Sequence, residues 1–196
     1  MSPLSQVGML LVNTIGSMVL LVFLLRFLLQ LVRADFYNPI SQFILRFSNP
    51  LLIPLRRVIP GFGGLDIASL VLAYLAQLLL MIAILLVAGQ FSLPWGYLLV
   101  WAVIGLMSLW LNIYFWGLVI IVIASWIAPN SYNPALILIN QIIEPAIRPI
   151  RNAMPNLGGL DLSPIIAFLL IQVLQIMVIG QLAALTGMPH GLAMGM

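Results

Sequence analysis

Four stretches of the chain, residues 7–31, 67–89, 97–127 and 163–185, are apolar almost without interruption. A hydrocarbon core of about 30 Å takes about 20 helical residues to cross, so each stretch predicts a spanning helix. Gln90-Phe91-Ser92-Leu93-Pro94 links the second to the third. Between the first and second spans, and again between the third and fourth, the pattern changes. Residues 37–66 and 132–161 mix apolar positions with proline, glycine and charge. Asn38 is a good N-cap and Pro39 suits a first helical turn, where its missing N–H is an orphan anyway. Ile40, Phe43, Ile44 and Phe47 then fall at i, i+3, i+4 and i+7, with Ser41, Gln42 and Arg46 off that stripe. Asn133 and Pro134 open the second segment in the same way, although residues 135–139 are apolar all round. Pro50 and Pro145 are expected to break these helices, and Pro54 and Pro149 to keep long ones from resuming. The pattern predicts a short amphipathic helix at headgroup level, a break, a short turn carrying Arg56 or Arg151, and a glycine turn at Gly63-Gly64 or Gly158-Gly159. Such a helix either lies in the interface with its apolar face down or dips into the bundle, where protein must satisfy its backbone.

The two segments are copies. YNPISQFILRFSNPLLIPLRRVIPGFGGLD at 37–66 recurs 95 positions later, without a gap, as YNPALILINQIIEPAIRPIRNAMPNLGGLD. Tyr37, Asn38, Pro39, Pro50, Pro54, Arg56, Pro60, Gly63, Gly64, Leu65 and Asp66 match Tyr132, Asn133, Pro134, Pro145, Pro149, Arg151, Pro155, Gly158, Gly159, Leu160 and Asp161. Most of these are capping, turn or charged residues, so shared hydrophobicity does not explain the match. The chain reads as one unit used twice, residues 1–94 and 95–196. Two spans per unit is an even number. Both copies then share one orientation, related by an axis along the membrane normal. The fold class is an all-α membrane protein of four transmembrane helices, built as two parallel-repeated helix–amphipathic segment–helix units.

The run YNP, two prolines four apart, an arginine and then P-x-x-G-G-L-D resembles the YggT family of small bacterial membrane proteins, whose relatives include chloroplast and cyanobacterial proteins. With the flanking helices, the two copies cover most of the chain. The resemblance implies a non-enzymatic organising or assembly protein. Chloroplast relatives are linked to haem attachment in a cytochrome b subunit and to thylakoid organisation, and bacterial relatives to cell division or envelope organisation. It also implies an alternative, a small transporter or channel subunit, because a bacterial member is connected with osmotic stress and potassium handling.

Composition agrees with the membrane reading. The chain is 64% hydrophobic and 6% charged, with mean hydropathy +1.23, against about 25% charged in a soluble domain. The net charge of +3 is too small and dispersed for a nucleic-acid surface. No cysteine is present, which excludes disulfides and thiolate metal sites. The first 25 residues carry no charge, so no cleavable signal is visible and the first span is expected to stay. Apart from Arg26, every charged residue lies between Arg33 and Asp66 or between Glu144 and Asp161. The positive-inside rule makes that side cytoplasmic and both termini periplasmic, in a bacterial inner membrane. The partners implied are the bilayer, anionic lipids at the cytoplasmic face, and a second copy or another membrane protein.

Several residues carry candidate chemistry. Asp66 and Asp161 precede spans and read as N-caps, with Ser69 completing the first. Their other reading is a symmetric acidic pair. Arg56 and Arg151 read as topology and lipid contacts, compatible with pairing to Asp66, Asp161 or the other copy's acid. Arg26, Gln30 and Arg33 share one face of the first helix, whereas copy two has Ile121, Ser125 and Ala128 there. Arg33 is expected to snorkel. Arg26, about 10 Å deeper, either snorkels too or faces the bundle. Gln77 and Gln172, with Asn112, read as interhelical glue worth about 0.6 kcal/mol each, or as the lining of a polar cavity. No nucleophile–base set or metal-ligand cluster is visible, and His190 is a lone imidazole in the tail. No enzyme activity, cofactor or metal is expected.

Overall fold

A computed structural model describes residues 3–128, 131–154, 161–189 and 191–192. Among them the secondary structure is helical, apart from one isolated bridge. Four helices are long and apolar enough to cross a membrane: α1 (Pro3–Leu31), α3 (Ile67–Val87), α4 (Trp95–Ile127) and a fourth span over Ser163–Leu185. The fourth begins as α6 (Ser163–Leu174), widens into a π segment (Gln175–Gly180) and ends as α7 (Gln181–Leu185). The motif segments form α2 (Pro39–Val58) and α5 (Pro134–Ala153).

The prolines do not break α2 and α5. Each helix runs 20 residues, with Pro50 and Pro54 inside the first and Pro145 and Pro149 inside the second. A proline removes the N–H that would bond the carbonyl four residues back. Pro50 and Pro54 therefore free the carbonyls of Arg46 and Pro50, and Arg46, Pro50 and Pro54 all lie on the exposed face. Pro145 and Pro149 are exposed as well. Water or headgroups can reach such carbonyls, so the lost bonds do not end the helix.

The buried face of α2 also differs from the expected stripe. Ser41, Ile44, Ser48 and Leu52 face inward, while Ile40, Phe43 and Phe47 point out. In a lipid environment large apolar side chains can face outward, and small residues let helices approach. Ser48 Oγ donates to the Ile44 carbonyl at 2.7 Å, within its own helix.

Three glycines mark close approaches. A Cβ on Gly16 of α1 would lie 2.3 Å from Leu80 Cδ1 of α3. One on Gly105 of α4 would lie 2.5 Å from Gln77 Nε2 of α3, and one on Gly117 would lie 2.3 Å from Ile143 Cδ1 of α5. The chain thus folds α1 onto α3, α3 onto α4 and α4 onto α5. A continuous apolar core joins α1 through α6, with Leu20, Leu24, Leu28, Leu52, Leu118 and Ile143 at its centre. In each span's most hydrophobic window only 17–33% of residues are buried. The remaining apolar surface faces outward.

Candidate functional site

In copy one the GGLD turn brings the motif aspartate back under its arginine. In copy one, Phe62 and Leu65 exchange both backbone hydrogen bonds, at 3.2 and 2.9 Å, around Gly63 and Gly64. Both glycines have positive φ, 61° and 83°, the combination a type I′ turn requires. The chain therefore reverses, and Asp66 meets Arg56 ten residues upstream. Arg56 Nε donates to Asp66 Oδ1 at 3.3 Å and Nη2 contacts Oδ2, a two-point fork. Nη2 also donates to Gln30 Oε1 of α1 at 3.1 Å. Asp66 caps α3 as expected, accepting from Ser69 N at 3.4 Å, while Ser69 Oγ donates to the Asp66 carbonyl at 2.8 Å. Capping and pairing are both made, and the arginine belongs to the same copy.

Copy two repeats the clasp in a more open setting. Arg151 Nε donates to Asp161 Oδ2 at 3.0 Å, and Asp161 Oδ1 accepts from Ser163 N at 2.9 Å. Asp161 stands one position outside the assigned cap of α6, Leu162. The third partner differs: Arg151 Nη1 donates to both Glu144 oxygens, at 2.9 and 3.2 Å. The Asp66 side chain is 3% exposed and that of Asp161 46%. Burial pushes the Asp66 carboxyl up, but the hydrogen bonds and charge of Arg56 with the Ser69 bonds overcome it, and the net direction is below the ordinary value. Asp161 is held below its ordinary value first by its bond to Ser163, against a burial effect, and then by Arg151. Gly158, Gly159 and His190 lie outside the described residues.

Asn38 and Asn133 cap their helices through Ile40 N and Ala135 N, each at 2.9 Å, with Pro39 and Pro134 as first helical residues. Asn38 is buried and has a second role: its Nδ2 donates to the Pro134 carbonyl at 2.7 Å, tying copy one to copy two. A second tie runs from Asp35 N to Gln141 Oε1 at 3.0 Å. Neither tie has a counterpart in sequence spacing, because each depends on how the copies meet.

Copy one carries a basic pocket of about 630 Å³, whose lining includes Arg26, Gln30, Arg33, Phe36, Leu45 and Gly64. Arg26 does not snorkel. It is 4% exposed, with its guanidinium 5.7 Å from the centre of the Phe36 ring. Arg33 is exposed and ends α1 in the left-handed region at φ 54°. Arg33 N donates to the Gln30 carbonyl and Ala34 N to that of Leu29, a Schellman closure that usually places glycine at this position. Gly89 does so after α3, at φ 84°. An arginine there costs about 1–2 kcal/mol. Phe36 escaped the sequence reading because it belongs to a loop that folds back over α1.

The intramembrane amides are not brought together. Gln77 is buried against Gly105 at the α3–α4 seam, whereas Gln172 is exposed. Asn112 of α4 is half-buried. Gln175, which the sequence reading did not single out, opens the π segment and donates to the Ser108 carbonyl at 3.5 Å.

The CCB3/YggT family model matches residues 5–87 and again residues 100–182. A Pseudomonas aeruginosa protein is 55% identical over 98% of each chain. The YggT protein of Escherichia coli K12 is 36% identical over 84% of this chain and 85% of its own. A Haemophilus influenzae protein is 32% identical over 86% of this chain and 88% of its own. No solved structure matches. With two clasped motif segments and one family model matched twice along it, the chain belongs to the CCB3/YggT family.

Proposed function

We propose that this protein is a non-enzymatic organising or assembly factor of the bacterial inner membrane, with α2 and α5 on the cytoplasmic side and both termini in the periplasm. The observation that carries the reading is the character of the seam between the copies. Gln77 is packed against Gly105, Gln172 points outward, and Asp66 and Asp161 are each closed by an arginine of their own copy. These groups line no common polar path among the described residues, as ion transport would require. The apolar surface is instead turned outward, including Phe43 and Phe47 of motif helix α2. Outward apolar surface beside a tied pair of helices suits the lateral capture of a membrane protein client.

Complementation of a null strain tests this, comparing Arg56→Ala plus Arg151→Ala with Gln77→Leu plus Gln172→Leu at matched membrane levels. The arginine pair is expected to abolish function and the glutamine pair to retain it. The reverse result replaces the scaffold with a transporter or channel subunit serving ion homeostasis and osmotic stress. Reporter fusions at residues 55, 92 and 150 and at the C-terminus test the orientation, and a cytoplasmic C-terminus refutes it.

A further inference from the structure

The pocket of copy one holds a buried cation with unused donors. Nε and Nη1 of Arg26 have no hydrogen-bond partner among the described residues, although the side chain is almost wholly enclosed. A guanidinium removed from water without acceptors is costly. Arg56, the neighbouring guanidinium, is committed to Asp66 and Gln30. The Asp35 carboxylate accepts from Tyr37 N. Arg26 and Arg33 make no ion pair among the described residues. The pocket thus offers two arginines to an oxygen-rich anion from outside the chain.

Guanidinium forks match the geometry of phosphate. The volume, about 630 Å³, falls within the range of ligand pockets, about 300–1,000 Å³. Phe36 and Leu45 supply apolar wall beside the arginines. A free phosphate would leave that wall unused, whereas an anion attached to an apolar body would use both. We infer that this pocket binds the phosphate of one anionic phospholipid, held by Arg26 and Arg33, with its glycerol and acyl region along Phe36 and Leu45. Copy two has Ile121, Ser125 and Ala128 at the positions of Arg26, Gln30 and Arg33, so the site occurs once per chain. The inference goes beyond the organising role and stands whether or not that role is correct.

The test measures the lipids retained by the full-length protein purified from mixed vesicles of phosphatidylcholine and phosphatidylglycerol, by native mass spectrometry. The wild type is expected to prefer one phosphatidylglycerol by about 30-fold. Arg26→Met, Arg26→Lys and Arg33→Gln should each reduce that preference to about fivefold or less, the level of diffuse surface attraction. Arg33 is exposed, so its variant remains informative should Arg26→Met fail to fold. Arg148→Gln removes the same charge from an exposed position in copy two and should leave the preference intact. Equal losses in Arg148→Gln and Arg26→Met overturn the site, as does a folded Arg26→Met that keeps the full preference. In a separate arm, inorganic phosphate alone is titrated into the wild type and its melting followed. Stabilisation by phosphate with no preference for phosphatidylglycerol overturns the lipid assignment in favour of a free anion.

Discussion

The two arginine–aspartate clasps are chemically alike but differ in burial, and that difference sets what each is worth. Removing Arg56 strands the Asp66 carboxylate in a site that water barely reaches. Arg56 itself is 37% exposed, so water screens part of the loss, and the cost should be about 2–3 kcal/mol. Asp66→Asn removes the charge, yet the amide oxygen can still accept from Ser69 N, so its cost should be near 1 kcal/mol. The order expected from detergent melts is therefore Arg56→Ala well below Asp66→Asn, with the double variant recovering part of the loss. Arg151→Ala exposes an acid already in contact with solvent and should cost no more than about 1 kcal/mol. A measured loss at Arg151 equal to that at Arg56 contradicts this account. The bonds from Arg56 and Ser69, which outweigh burial at Asp66, also fix a pH dependence. A carboxyl whose folded value lies below its ordinary 3.8 contributes stability that is complete at neutral pH. That contribution is lost as pH falls below 3.8 and through the folded value. The melting temperature of the wild type should fall across that acid range, and Asp66→Asn should flatten the fall. An unchanged slope in the variant would assign the acid lability elsewhere.

Helix α2 separates what was legible in the sequence from what was not. Its start was legible, since Asn38 and Pro39 carry the cap and first turn in local chemistry. So was the glycine turn after it, because only residues free to take positive φ can occupy both central positions. Its continuity was hidden. A proline in the sequence predicts a break, but whether a freed carbonyl is tolerated depends on the face it occupies, which the sequence does not print. The expected break also hides a contact, because across a break at Pro145 the spacing of Glu144 and Arg151 fixes no common face. In a continuous helix they stand seven residues, two turns, apart on one face. The inward turn of Arg26 was left open because its resolution depends on Phe36 and Leu45, brought over α1 by tertiary folding. Since Pro50 and Pro54 sit exposed in an unbroken helix, Pro50→Ala should raise the melting temperature by restoring a backbone bond, a gain of about 1–3 kcal/mol. A lower melting temperature instead would show that α2 needs the proline geometry to lie against the bundle.

At the scale of the whole chain, two units that share one motif pack differently. Position 105 of copy two is glycine, and its partner in copy one is Leu10, which is exposed. Position 117 is glycine against Val22. The copies agree in sequence at the turn and clasp residues and diverge where helices touch. Gly105→Ala should cost about 1–3 kcal/mol, since the added Cβ would meet Gln77 Nε2 at 2.5 Å and Gln77 Cδ and Met81 Cε at 3.0 Å. Gln77→Ala in the same chain should return part of that loss, and additive losses would show that the two positions do not compete for space. The tight approach at Gly105 also bears on inheritance. Duplicated stretches invite gene conversion, which rewrites one copy from the other. Conversion of the second unit by the first would place leucine at position 105, fill the space Gln77 occupies and pry α3 from α4. Conversion in the other direction would erase Arg26, Gln30 and Arg33 together. The two halves have thereby become non-interchangeable: a gene that homogenised its repeats would keep every motif residue and still encode a protein that cannot close its central seam or keep the basic pocket of its first copy.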